Sequence, residues 1–297
     1  MTDDAGLAEQ FEEHRQHLFA VAYRMLGSTV AAEDAVQESW LRLIGSEEAR
    51  QGGIDNLGGW LTTVVSRISL NVLRARATHR EESLEDRFDR LPEPIVTLSG
   101  SDPLDQALLA DSVGIALLVV LDQLTPGERL AFVLHDLFAV PFEEIAPIVG
   151  KSSEATRQLA SRARRRVLRS APTPDRDPGR QRQVVDAFFA AAHEGDFERL
   201  VCILHPEVVL RADAGAGITA HLGAAKVAGN ALMYAHPDRV VHPAIVNGGA
   251  GVVVTLDGAP FSVMVFTVVG DRIVEIEAYL DPALLERLAP ALDRGRS

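Results

Sequence analysis

The sequence predicts a multidomain chain in which two all-α helical domains, the second carrying a helix-turn-helix, precede an α+β domain. Three observations lead there. Apolar residues recur at helical spacing from Phe11 to Arg80 and again from Gln106 to Arg169. The segment APTPDRDPGR, Ala171 to Arg180, holds three prolines and mixed charge, as linkers do. Beyond it, helical stretches near Gln181 to Ala192 and Phe197 to Leu204 give way to the β-rich runs VVLRA, VVVTL, FSVMVFTVV and RIVEIEAYL. The expected division is 1–80 and 108–170 for the helical domains, 81–107 and 171–179 for linkers, and 180–297 for the α+β domain. A chain of 297 residues, 47% of them apolar, can build that many cores.

Composition narrows the function classes. The opening MTDDAG is acidic where a secretory signal is basic, and the longest apolar run, Ile115 to Leu121, is too short to cross a bilayer, so a cytoplasmic protein without membrane contact is expected. The single cysteine, Cys202, excludes an internal disulfide and a cysteine-based zinc site. No metal or other cofactor is expected. A net charge of −13 argues at first against nucleic acid, but the charge is unevenly placed. Lys151 to Arg169 holds seven basic residues against the one acid Glu154, and Gly59 to Arg80 holds four arginines and no acid. Acidic surface elsewhere suits a protein that a partner delivers to DNA.

In the first helical domain, STVAAEDAVQESWLRLI placed on a helix puts Ala32, Val36, Trp40 and Leu43 on a core stripe and Asp34, Gln37, Glu38 and Leu41 opposite. That acidic face with one leucine reads either as solvated surface or as a docking face. In GWLTTVVSRISLNVLRARATHR the stripe is Leu61, Val64, Val65, Ile68 and Val72, with Thr63, Ser66, Arg67, Leu70 and Arg74 on the far side. The far face offers Arg and small hydroxyls to a phosphate backbone. With only two lysines in the chain, Lys151 and Lys226, arginine alone says little.

The second helical domain is more specific. Thr125, Pro126 and Glu128 form a capping box with proline at the first helical position. Pro141 starts a short helix that must bend or stop around Pro147, Gly150 ends it, and Ser152 or Ser153 caps a third. This is the layout of a DNA-reading helix-turn-helix. On the last helix Thr156, Ala160, Ala163 and Val167 share one face, and Glu154, Gln158, Ser161, Arg162, Arg165 and Arg169 the other. An antiparallel hairpin would also want a charged face, but has less reason for six arginines against one acid.

The motifs AYRMLGS, AEDAVQESWLRL and GWLTTVVSRISLNVLR resemble the second conserved region of extracytoplasmic-function sigma factors. LTPGERLAFVLHDLF, PFEEIA and SEATRQLASRARRRV resemble the fourth. The remainder, through GDFERLVCILHPEVVLRADAG, is similar to the SnoaL-like, cone-shaped domain that one subgroup carries at its carboxyl end. The resemblance implies a promoter-recognising subunit, with core RNA polymerase and promoter DNA as partners. It implies that Asp34, Gln37, Glu38 and Leu41 grip the polymerase clamp helices, that Arg67, Asn71 and Arg74 serve at the minus-ten element, and that the loop Gly52 to Gly58 pockets a flipped base. Glu154, Arg157, Gln158, Ser161, Arg162 and Arg165 would lie on the helix that reads the minus-thirty-five element.

For the α+β domain the resemblance implies an intramolecular, regulatory contact with the linker at Leu91, Pro92, Glu93 and Pro94, through Asp213, Asp281 and Pro282. Two departures stand out. Asp213, Ala214, Gly215, Ala216 and Gly217 replace an aspartate followed by a glycine run, and Leu280, Asp281, Pro282 and Ala283 replace an asparagine-proline-aspartate ending. Cyclase relatives of this fold use histidine and aspartate, for which His205, His221, Asp213 and Asp281 are the candidates. Spacing does not bring these into one cavity, so a non-enzymatic interaction module on a monomeric protein is expected. The alternatives are a polymerase-independent DNA-binding regulator, or a tail that senses a ligand or is a fused enzyme.

Overall fold

The computed structural model describes residues 4–51, 53–82, 90–98, 114–170, 175 and 177–294. They gather into two compact units, one drawing on 4–82 and 118–170 and the other on 90–98, 114–117, 175 and 177–294, so that the division falls within the first turn of the helix at 115–122.

In the first unit, α1 (Asp4–Leu26), α2 (Thr29–Gly45), α3 (Glu47–Arg50) and α4 (Leu57–Glu82) form the amino-terminal group. Ser28 caps α2 by accepting from the Ala31 amide, and Asn56 does the same for Gly59 at the start of α4. The core joins Leu18, Val21 and Met25 of α1 to Val36 and Leu43 of α2 and Leu61 and Val65 of α4. The two-faced reading of α4 needs correction, because Ser66 and Leu70, expected on the far side, are buried. The reason is that α4 packs against α1 and α2 and also against two helices of the second group.

That second group comprises α5 (Ile115–Asp122), α6 (Pro126–Phe132) running into a π-helical turn (Val133–Leu137), α7 (Phe142–Val149) and α8 (Ser153–Ser170). The capping box at Thr125 and Glu128 is complete, and Gly150 closes α7 in the left-handed conformation at φ 77°. Pro147 lies inside α7, which is only eight residues long. Of the two candidate caps for α8, Ser152 is the one that accepts, from Ala155. Arg129 on α6 is almost fully buried; its Nε donates to the Arg24 carbonyl at 3.1 Å and its guanidinium pairs with Asp122. Arg76 donates to the Leu26 carbonyl. The two helical groups thus pack as one unit.

The second unit opens with α9 (Pro178–Glu194), which starts inside the stretch read as linker, because Asp177 accepts from Gly179 and Arg180 and Pro178 fits the first turn. Next come α10 (Phe197–Ile203), strands β2 (Leu204–Asp213) and β3 (Ile218–Leu222), α11 (Ala224–Tyr234), strands β4 (Arg239–Val246), β5 (Gly249–Leu256), β6 (Ala259–Val269) and β7 (Arg272–Tyr279), and α12 (Pro282–Arg294). With β1 (Val96–Leu98), which precedes all of these in the chain, the sheet runs β1-β4-β5-β6-β7-β2-β3, antiparallel except where β2 lies parallel to β7. Its first strand comes from the segment read as an inter-domain linker, 81–107. Val96, Thr97 and Leu98 pair with Val246, Ile245 and Ala244 at the edge of the sheet. Phe188, Leu204, Val227, Val252 and Phe266 fill the core between helices and sheet.

Candidate nucleic-acid interface

Helix α8 is positioned by small residues. Thr156, Ala160 and Ala163 are buried and allow close approach to α6 and α7, which turns Glu154, Arg157, Gln158, Ser161, Arg162 and Arg165 outward, all exposed. The arginines divide by role. Arg164 is held by Asp136 at 2.7 Å, and Arg166 donates to the Gln123 carbonyl and lies 3.5 Å from Glu128. Arg157 lies over the Phe142 ring at 5.2 Å. Arg162, Arg165, Arg166 and Arg169 line one shallow depression, a concentration of positive charge suited to phosphate.

On α2, Asp34, Gln37 and Leu41 are exposed, Leu41 by 51%, while Glu38 is half-buried and pairs with Arg42 at 3.0 Å. On α4, Arg67 and Asn71 are exposed. Arg74 is exposed too, but its Nη2 donates to the Val149 carbonyl on α7 at 3.2 Å. In the loop expected to pocket a base, Gly52 lies outside the described residues, and Asp55 and Asn56 are exposed.

In the second unit, residues 90–98 lie on the α+β fold. Asp213, nearly fully buried at the end of β2, accepts from the Leu91 amide at 3.1 Å and from Gly215 at 2.9 Å. Arg90 pairs with Asp281 and lies 3.8 Å from Asp213. The Tyr279 hydroxyl donates to the Pro92 carbonyl, Glu93 pairs with Arg287, and Ile95 exchanges two hydrogen bonds with Asn247. Leu91, Pro92 and Pro94 are buried, whereas Pro282 is exposed. A side chain on Gly215, at φ 91°, would stand 2.9 Å from Asp281, so glycine is needed there. Sequence reasoning missed Arg90, Asn247, Tyr279 and Arg287 as partners of this segment. Only the Asn247-Gly248 pair carried a local signal, that of a hairpin turn.

The histidine and aspartate candidates are not brought together as an acid–base pair. His205 Nδ1 accepts from the Glu207 amide, His221 lines a cavity, and both aspartates are committed to Arg90 and Leu91. A charged cluster joins Arg211 on β2 to Glu275 at 3.2 Å and Glu277 at 3.0 Å on β7. Burial, reinforced by Glu275 and opposed by Arg211, pushes the Glu277 carboxyl up to about 8. Among the described residues no helix is long and apolar enough to cross a membrane, and no group of His, Cys, Asp or Glu is arranged to hold a metal ion.

Residues 10–79 match the Sigma-70 region 2 family and residues 115–167 the Sigma-70, region 4 family. A probable ECF RNA polymerase sigma factor of Mycobacterium tuberculosis, SigI, is 33% identical over 296 residues, covering 99% of this chain and 100% of that protein. The chain belongs to the extracytoplasmic-function sigma factors. This sigma factor is also 45% identical over 207 residues to SigJ of M. tuberculosis, an alignment covering 69% of the chain and 64% of that relative. The crystal structure of M. tuberculosis SigJ matches with a TM-score of 0.73 at 35% identity, covering 94% of this chain and 98% of that one. The match covers nearly the whole chain and so extends through the α+β unit, whose helices and sheet border a cavity.

Proposed function

We propose that this sigma factor binds core RNA polymerase and directs promoter-specific initiation, with its α+β unit modulating that activity. The observation that carries the reading is α8, whose exposed Arg157, Gln158, Ser161, Arg162 and Arg165 stand on a buried small-residue face in a chain that is otherwise acidic. These side chains contact base edges and phosphates of the minus-thirty-five element, with Glu154 at the helix start. Asp34, Gln37, Glu38 and Leu41 form the polymerase face, and Arg67, Asn71 and Arg74 serve the minus-ten element. The two helical groups act as separate modules on a promoter, which releases Arg74 from the Val149 carbonyl for phosphate contact.

The α+β unit acts by contact rather than by catalysis. Its hold on the segment from Arg90 to Pro94, through Asp281 on Arg90, Asp213 on Leu91, Tyr279 on Pro92 and Arg287 on Glu93, restrains the chain between the helical groups. In reconstituted transcription with core polymerase, the protein should initiate at one promoter class. If it fails to bind core polymerase but binds a specific duplex tightly on its own, it is a polymerase-independent regulator instead.

A further inference from the structure

Arg157 is the fifth residue of α8, and its side chain is 59% exposed. An arginine on a solvated helix face samples many rotamers. Arg157 is restrained by the other helix of the motif. Its guanidinium carbon stands 5.2 Å from the ring centre of Phe142, the first residue of α7. Glu143 Oε1 lies 3.9 Å from Arg157 Nη2, but both side chains are mostly exposed, so that pair adds little and the ring is the firmer hold.

The ring is itself fixed. Phe142 is 9% exposed and stacks on His135, with ring centres 3.8 Å apart and planes at 28°. His135 Nδ1 in turn donates to the Val140 carbonyl at 3.0 Å, across a bend in which Ala139 takes the left-handed conformation at φ 54°. The bend, His135, Phe142 and Arg157 form one chain of contacts that ends at the surface. Arg165, further along α8, donates to the Ser161 carbonyl of its own helix at 3.4 Å. Among the described residues, Arg157 is the arginine of α8 that lies over a ring.

In a helix-turn-helix, the amino-terminal residues of the second helix meet base edges. A guanidinium already held in one plane loses less freedom when it donates two parallel hydrogen bonds, and guanine O6 and N7 accept such a pair. We propose, on the reading that α8 contacts the minus-thirty-five element, that Phe142 is a positioning residue: it presents the planar fork of Arg157 to a guanine of that element.

The test offers reconstituted holoenzyme a promoter library randomised at both elements and sequences the transcripts. The parent should prefer guanine at one upstream position. Arg157→Lys keeps the charge without the fork and should lower that preference about fivefold or more. Phe142→Leu should lower it about two- to fivefold at that position alone, and Phe142→Tyr, which keeps the ring, should retain it. A loss of packing would instead lower transcription from all sequences alike. In the free parent protein, whatever the leucine variant does to the fold, the Arg157 Nε–H bond should show a higher NMR order parameter than that of Arg162. Equal order parameters, a parent-like preference in Phe142→Leu, or a tyrosine variant that behaves like leucine each overturn the positioning role. A guanine preference that survives Arg157→Lys overturns the base contact. A parent with no upstream preference overturns the reading of α8 itself.

Discussion

Arg162 and Arg164 stand two positions apart on one helix and do different things. Arg164 is tied to Asp136, whereas Arg162 points away from the packed face and borders the arginine depression. Arg162→Ala should therefore weaken recognition of the upstream promoter element by about 1–3 kcal/mol without changing the unfolding midpoint. Transcription from promoters with intact and scrambled upstream elements, beside a thermal melt, separates the two effects. An unchanged response to the upstream element would place the reading register elsewhere on α8. Glu277 gives a residue-scale prediction of another kind. Its folded value of about 8 lies above its ordinary 4.5, so between those values the native state holds a proton that the unfolded chain has released. Stability must then fall as pH rises through that window. The buried, unpartnered Oε2 agrees with a neutral carboxyl. Glu277→Gln never ionises and should flatten the fall, gaining about 1–3 kcal/mol over the parent at pH 8 in denaturant titrations. Parallel pH profiles for the two proteins would refute it.

A three-residue strand is a weak element in isolation, and β1 persists because its neighbours hold it at several points. Backbone pairing with β4, the Ile95–Asn247 exchange, the Tyr279 hydroxyl and Asp213 all act on nine consecutive residues. Of these, Asp213 is the most exposed to mutation, because its carboxylate serves both the Leu91 and Gly215 amides. Asp213→Ala leaves two donors without that acceptor, at a cost of about 1–3 kcal/mol for each that stays buried. Hydrogen exchange should speed up across 91–98 while β5 and β6 change little. Exchange that stays at the parent rate would mean that strand pairing alone anchors the segment.

For the whole molecule, residues 90–98 matter because they lie in the chain between the two helical groups and yet belong to the α+β fold. Tethering raises the local concentration of such a contact to around the millimolar range, so a weak hold can be mostly occupied and still yield to polymerase. Removing 171–297 should change promoter output without abolishing DNA reading. It also uncovers Leu91, Val96 and Leu98, so the truncated protein should carry polar replacements there to stay dispersed. Equal output from parent and truncated proteins across a range of core-polymerase concentrations would remove the regulatory role of the unit. Replacing Pro92, Glu93 and Pro94 by alanine in the intact chain should reproduce part of the change.

Local chemistry made much of this protein legible from sequence alone. The capping box at Thr125, the left-handed Gly150 and the serine cap of α8 each act within four residues, and the core stripe of α8 repeats every turn. The helix-turn-helix and its outward residues follow from those signals. Tertiary structure alone decided the rest. Val96 pairs with Val246, and Leu91 meets Asp213, across separations that no local period encodes. Ser66 and Leu70 are buried because α4 has neighbours on more than one side, where a single-stripe reading allows one. Arg162 and Arg164 are the same residue type in one helix, and only the position of Asp136 separates a surface arginine from one tied within the fold.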